Sequence, residues 1–159
     1  MSARTAMLAA TLVLAAACSS KSSLTNQGTG TTTYVATLRP SNEVPPNTET
    51  SSGTATFTLA GTSMGYTVYA TGLSAAASMS HIHLGAAGAN GPVIFPFAVT
   101  AGTTTGTLAT GTIDLTQSIF NGTISGDSLK VLFNNGNIYV NVHTPAHGGG
   151  EIRGQIVKQ

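Results

Sequence analysis

Short runs in which apolar and polar residues alternate constrain the fold of this chain more than any other feature of its sequence. In the run from Ile138 to Thr144 every second residue is apolar, and Tyr139, Asn141 and His143 stand between them. The run from Met64 to Ala70 alternates in the same way. Because successive side chains of a β-strand leave opposite faces, such runs indicate strands that bury one face in a core.

Runs of this kind extend from Tyr34 to Val157, with Gly, Asn and Pro turn signals about every ten residues. They predict seven to eight short strands, the last from Glu151 to Val157, and helical turns at 118–120 and 128–133. Only 7% of the residues are charged, and the 19 glycines and many threonines suit turns and strands. We therefore expect an all-β domain, an antiparallel Greek-key sandwich or barrel.

The N-terminal segment has the features of an export signal. Residues 1–17 combine Arg4, a short apolar run and small residues, which is typical of a secretory signal peptide. The apolar run is too short to cross a bilayer as a helix, which needs about 20 residues. Cys18, the single cysteine, follows three alanines. This arrangement resembles a bacterial lipobox, although Ala15 stands where that motif usually has a larger apolar residue; the alternative is an ordinary signal peptide with an incidental cysteine.

The lipobox resemblance implies a location and a partner. A diacylglycerol on Cys18 would anchor the chain to the membrane, Ser19 after it favours the outer membrane of the bacterial cell envelope, and a chain without the lipid would be secreted. Residues 18–32 have the Ser, Gly and Thr content of a flexible tether, and residues 33–159 are expected to form one folded domain. Without Arg4 of the signal segment the net charge is near zero, so charge gives no reason to expect binding to nucleic acid, and no such partner is expected.

Three of the four histidines fall on the polar faces of predicted strands. His81 and His83 are two residues apart, so on a strand they stand on one face about 7 Å from each other. His143 could join them if its strand lies alongside. Three neutral imidazoles suit copper or zinc, and an open fourth position would permit chemistry.

The alternative is a structural role, in which each histidine hydrogen-bonds a carboxylate or a backbone carbonyl. Glu43 and Glu151 are available as such carboxylates. His147 lies in the Gly-rich segment 145–150 and is expected to be solvated, with an extra metal ligand as the alternative.

A second group of polar residues surrounds these positions. Glu151 and Arg153 are two residues apart on one predicted strand and are expected to share a face, with Asn141 on the neighbouring strand. Arg153 would pair with Glu151 or with Glu43 and so hold the loops in place. A clamp for the carboxylate of a ligand is the alternative.

Four motifs, in this order, resemble the successive signatures of the CHRD domain family. The resemblance covers Tyr34 to Val157. The motifs are Asn42-Glu43-Val44-Pro45-Pro46, His81-Ile82-His83-Leu84-Gly85 with Asn90-Gly91-Pro92-Val93, Tyr139-Val140-Asn141-Val142-His143-Thr144, and Gly150-Glu151-Ile152-Arg153-Gly154-Gln155-Ile156. The family is named after chordin, an animal antagonist of bone morphogenetic proteins, and it also occurs widely in secreted bacterial proteins.

A weaker likeness is to copper-zinc superoxide dismutase, which also has a His-Val-His strand at its copper and a Gly-rich, Arg-containing segment near its C-terminus. This chain has neither the disulfide cysteines nor the His-rich zinc loop of that enzyme. The likeness therefore supports a superoxide-dismutase-like sandwich, with an immunoglobulin-like one as the alternative, and it does not imply dismutase activity.

Two functions follow from these observations. The first is a non-enzymatic CHRD module, tethered at the envelope, that binds a protein or a small molecule; the chain has no Gly-x-Ser-x-Gly motif and few carboxylates for catalysis. The second is a copper- or zinc-binding protein, open to redox chemistry, that uses His81, His83 and His143.

Overall fold

The computed structural model of the protein describes residues 30–120 and 122–159. Within these residues the chain folds into two antiparallel β-sheets with one α-helix packed against their common core. The elements are β1 (Thr32–Leu38), β2 (Ser52–Ala60), β3 (Ser63–Thr71), β4 (Met79–Leu84), β5 (Val93–Pro96), β6 (Gly106–Asp114), α1 (Gly126–Asn135), β7 (Ile138–Thr144), β8 (His147–Gln155) and β9 (Val157–Lys158), with a 3-10 turn at Pro40–Asn42. Neither helical segment in these ranges is long and apolar enough to cross a membrane.

The larger sheet has the strand order β6-β3-β2-β1-β9. Its centre is the β2–β3 hairpin, in which Ala55 lies opposite Val68 and Phe57 lies opposite Tyr66. Ala55, Phe57 and Val68 are fully buried, whereas the threonines that alternate with them face outward. The alternation of the sequence thus sets which face of this sheet meets the core.

The smaller sheet has the order β5-β4-β7-β8 and carries the candidate site. Strand β7 lies in its interior, and all seven of its residues are buried. Its apolar residues face the core. On the other face, Asn141 is opposite His81 of β4 and also opposite Arg153 of β8. Polar side chains from three adjacent strands therefore form one row across this sheet.

The core between the sheets contains an aromatic group to which the helix contributes. Phe133 of α1 makes edge-to-face contacts with Tyr34 and Phe57, at centroid distances of 5.1 and 5.0 Å. The helix begins after Ser125, whose hydroxyl accepts a hydrogen bond from the backbone N–H of Ser128, and it ends at Gly136 with φ 64°. Ser125 thus satisfies one backbone N–H left free at the start of the helix, and the left-handed conformation of Gly136 ends it.

The chain changes sheet near its C-terminus. After Gln155 it leaves the smaller sheet, and β9 pairs with β1 at the edge of the larger one. At the other end of β1, the backbones of Arg39 and Arg153 exchange hydrogen bonds of 2.9 and 3.1 Å. These contacts join the two sheets along one side.

The predicted all-β sandwich is confirmed, with nine strands in the described residues instead of seven to eight, and with differences at element ends. The predicted strand from Glu151 to Val157 is two strands in different sheets, and the first of them begins at His147, in the segment predicted to be a loop. The helical turn predicted at 128–133 is part of α1, whereas the one predicted at 118–120 is wrong, since Ile119 there forms an isolated antiparallel bridge with Ile124. The predicted signal peptide, Cys18 and most of the tether lie outside the described residues, and β1 begins at Thr32, the last residue assigned to the tether.

Candidate metal centre

The side chains of His81, His83 and His143 meet on the outer face of the smaller sheet. One ring nitrogen from each lies within 4.8 Å of the other two. The closest pair is His81 Nδ1 and His143 Nε2, at 3.1 Å. The ring centroid of His81 is 5.5 Å from that of His83 and 5.0 Å from that of His143. The structure thus brings together the three histidines that the sequence placed on polar strand faces.

Strand alternation and register explain this convergence. In β4, Ser80 and Ile82 point inward and are fully buried, so His81 and His83 both point outward. The register between β4 and β7 then places His143 at the His81 end of the same face. No loop has to fold over for the three rings to meet, because two adjacent strands supply them all.

Backbone carbonyls fix the orientation of two of the rings. His83 Nδ1 lies 2.9 Å from the carbonyl oxygen of Gly91, and His143 Nδ1 lies 3.0 Å from that of Gly148. A carbonyl accepts hydrogen bonds, so in each neutral ring Nδ1 carries the proton. The lone pair is then on Nε2, the nitrogen that faces the other histidines. Histidines that bind metals are commonly oriented by this kind of hydrogen bond.

One ring nitrogen of the group lacks a hydrogen-bond partner, and another ring faces two acceptors. His83 Nε2 is buried and has no hydrogen-bond partner. His143 Nε2 lies 3.0 Å from the side-chain oxygen of Asn141, while its Nδ1 already faces Gly148. A neutral imidazole has one N–H and cannot donate to both oxygens. The Nδ1–H of His81 can donate to the lone pair of His143 Nε2, so the lone pair without a partner is that of His83 Nε2, which a bound cation would satisfy.

The local environment keeps all three rings neutral at pH 7. Burial, followed by the positive charges that His143 and His83 would carry, lowers the pKa of His81 to about 4. Burial also lowers the pKa of His83 and of His143, although hydrogen bonds to Gly91 and Gly148 oppose the effect. Neutral imidazole is the form that binds metals, so protons do not compete for these nitrogens near neutrality.

An aromatic and cationic stack supports the His83 side of the group. Tyr139, on the middle strand, stacks on His83 with ring centroids 4.8 Å apart and an angle of 10° between the planes. The guanidinium carbon of Arg153, on the next strand, lies 3.4 Å from the centroid of the Tyr139 ring. Arg153 and Tyr139 are each 2% exposed. The stack restricts the rotation of His83 and is stabilised by a cation–π interaction.

Arg153 also holds the loop between β4 and β5. Its Nη1 donates to the side-chain oxygen of Asn90 at 2.9 Å, and its Nη2 donates to the carbonyl of Ala89 at 2.7 Å. The same loop contains Gly91, where a side chain would collide with the carbonyl oxygen of Leu84. Arg153 therefore positions the segment whose carbonyl orients His83.

The predicted pairing of Arg153 with a carboxylate is wrong in this structure. Among the described residues, no carboxylate oxygen lies within 4 Å of its guanidinium nitrogens. Glu151 instead accepts hydrogen bonds from the backbone N–H and hydroxyl of Ser74, at 2.9 and 2.5 Å, and from Thr144 at 2.7 Å. Burial raises the pKa of Glu151, but these hydrogen bonds outweigh it and keep the pKa below its usual value. Hydroxyl and backbone N–H donors are thus the partners of Glu151 in place of Arg153.

Glu43 is buried without a full set of partners. It is 6% exposed, and its Oε1 has no hydrogen-bond partner. Its carboxyl group packs on Gly150, which has φ 128° and no room for a side chain. Burial raises the pKa of Glu43 to about 7, although the positive charges of Arg153 and His147 oppose the effect. Glu43 is not among the residues whose ligand atoms converge with those of the three histidines.

The fourth histidine stays apart from the other three. His147 Nε2 lies 2.9 Å from a carboxylate oxygen of Glu49, and His147 is not among the ring nitrogens that converge. Sequence reasoning missed the stack of Tyr139 and the two carbonyls that orient the rings. The alternation of β7 already placed Tyr139 on the same polar face as His143, so its contact with the group could have been predicted. Backbone carbonyls, in contrast, are present at every residue and give no sequence pattern.

The sandwich, with its row of polar side chains across one sheet, defines an all-β binding or structural module. The chain belongs to the CHRD domain family, whose model matches residues 34–156. No curated protein and no solved structure matches the chain significantly. The weaker likeness to superoxide dismutase therefore stays a prediction.

Proposed function

We propose that this CHRD domain is a metal-binding module that holds one copper or zinc ion with His81, His83 and His143. The observation that carries the proposal is the convergence of three ring nitrogens within 4.8 Å of one another. The donors are imidazoles without carboxylates, a set that suits copper and zinc better than calcium or magnesium.

The details of the hydrogen bonds favour a metal centre over a purely structural network. In a structural network each imidazole would satisfy both of its nitrogens. Here His83 Nε2 is buried without a partner, and the carbonyls of Gly91 and Gly148 turn two lone pairs toward one point. Leaving a buried polar atom unsatisfied costs about 1–3 kcal/mol, a cost that coordination of a metal ion by His83 Nε2 would remove.

Three protein ligands leave a fourth coordination position. A structural zinc site normally has four protein ligands, whereas three-histidine sites keep one position for water, a substrate or another ligand. The domain would then carry or sense a metal, or act through it, at the outer face of the sheet. Tethering of the module to the bacterial envelope through Cys18 is part of the proposal, and it is supported by the sequence pattern of residues 1–18.

The test is a metal titration of the full-length chain without chelators. We expect one equivalent of Zn(II) or Cu(II) to bind per chain, observed by calorimetry and by an increase in melting temperature. His81→Ala removes one ligand at a partly exposed position, so the fold should survive, which circular dichroism would verify. His147→Ala is the matched control, since it removes a histidine outside the group.

The outcomes separate the two functions. Loss of binding in His81→Ala, with full binding in His147→Ala, supports the metal centre. Binding that is absent from the wild type, or that both variants reduce equally, would refute it. The tether is tested separately by Cys18→Ala, which should move the protein from the membrane fraction to the soluble fraction.

A further inference from the structure

We propose that Met79 is the fourth ligand of this centre and that the site therefore takes monovalent copper in preference to Zn(II) or Cu(II). The inference rests on the metal centre proposed above. The inference adds a ligand that is not a histidine. It also specifies the metal, which three imidazole ligands alone do not determine.

The position of Met79 carries the inference. Met79 is two residues before His81 on β4, so it emerges on the same outer face of the sheet. It lies directly opposite His143 in the register of β4 and β7. Side chains of such cross-strand pairs have Cβ atoms about 5 Å apart. A long, flexible methionine side chain therefore starts beside the side chain of His143.

The exposure of Met79 is unusual for an apolar side chain on this sheet. It is 48% exposed, whereas Met64, the other methionine in the described residues, is fully buried in the core. An exposed methionine contributes little to core packing, so its thioether is free to move toward a bound ion. Methionine sulfur is a soft donor, and soft donors favour Cu(I) over Zn(II) and Cu(II).

The charges around the site point to the same metal. All four proposed ligands are neutral. Among the described residues, the guanidinium of Arg153 has no carboxylate partner within 4 Å, and it stacks on Tyr139, which in turn stacks on His83. A buried positive charge two side chains away makes a second charge on the metal less favourable. A monovalent ion with neutral ligands is the better match.

The test compares two metals in three proteins: the wild type, Met79→Leu and His81→Ala. Cu(I) affinity is measured anaerobically, by competition with a Cu(I)-specific chromogenic chelator, and Zn(II) affinity by competition with a fluorescent zinc chelator. Leucine preserves the size and exposure of Met79 and removes only the sulfur. We expect Met79→Leu to weaken Cu(I) binding about tenfold or more, in the range that losing one metal partner costs, with no change for Zn(II).

A direct readout accompanies the affinities. In selenomethionine-labelled protein loaded with Cu(I), the selenium absorption edge should show a copper neighbour. Labelled Met79→Leu keeps Met1, Met7 and Met64, so the absence of the copper neighbour in that variant would assign it to Met79.

The outcomes distinguish the two proposals. Equal Cu(I) affinity in wild type and Met79→Leu, or equal weakening of both metals, would overturn the role of Met79 while leaving the three-histidine centre intact if His81→Ala still abolishes binding. Metal binding that survives His81→Ala would instead overturn the centre itself.

Discussion

Replacement of Glu43 by Gln should stabilise the protein at alkaline pH and have little effect at acidic pH. Burial raises the pKa of Glu43 from 4.5 to about 7, so the folded protein holds this proton more tightly than the unfolded chain does. Stability from that proton is fully present below about pH 4.5 and is lost as the pH rises through 7. Above pH 7 the fold must hold a buried carboxylate with an unpartnered oxygen.

The magnitude follows from the two pKa values. Each pKa unit corresponds to about 1.4 kcal/mol, so the full difference is on the order of 3 kcal/mol. In Glu43→Gln this contribution is absent at every pH. The free energy of unfolding of the variant, minus that of the wild type, should therefore increase by about 3 kcal/mol between pH 4.5 and pH 8.5. A constant offset from the shape of the amide cancels in this comparison.

The assay is urea denaturation at a series of pH values, in the presence of a metal chelator, followed by circular dichroism. The control is Glu49→Gln, which removes an exposed carboxylate from the same loop. Its stability should differ little from that of the wild type, because exposed ion pairs contribute less than about 1 kcal/mol. Parallel curves for Glu43→Gln and the wild type across this pH range would show that the buried carboxyl group does not hold its proton.

Three further predictions concern the same face of the smaller sheet. The metal-free protein should lose stability as the pH falls from about 6.5 toward 4, because His81 takes up a proton in the unfolded chain but not in the folded protein. In His81→Gln this loss should be smaller by on the order of 1–2 kcal/mol, a value reduced for the partial exposure of the ring. Denaturation at each pH measures it. Gly91→Ala should destabilise the fold by about 1–3 kcal/mol, since a methyl group there collides with backbone. It should also weaken metal binding by about 10–100-fold in the titration, because the Gly91 carbonyl orients His83. Arg153→Lys should lower stability by about 2 kcal/mol in thermal denaturation through loss of the planar stack and its paired hydrogen bonds, whereas Arg39→Lys, at an exposed position, should change it little.

Alternation allowed the fold class and the histidine group to be predicted from the sequence. A period of two fixes which residues share a face, and this is local information. The polar residues Tyr139, Asn141 and His143 could therefore be placed opposite the core. The pairing of β4 with β7 joins segments that are far apart in the sequence. The number of apolar runs nevertheless predicted a sandwich, in which distant segments pair as neighbouring strands.

The partners of the charged residues could not be predicted in the same way. Arg153 was expected to pair with Glu151 because the two are close in sequence and opposite in charge. The register shift between β7 and β8 after Val142 changes the local geometry, and the Glu151 carboxylate accepts hydrogen bonds from Ser74, 77 positions earlier in the chain. Such contacts depend on how loops from distant parts of the sequence pack, which residue spacing does not encode.

The change of sheet near the C-terminus has a consequence for association between molecules. Because β8 continues into β9 and also bonds to the end of β1, the sandwich is closed along that side. The other side ends in β5, a four-residue strand with a proline, and in β6, a nine-residue strand with Asp114 as its single charged residue. Long, weakly charged border strands invite the addition of a strand from another chain. Association into fibres or lateral dimers would therefore start at β6, on the side of the sandwich opposite β8 and β9.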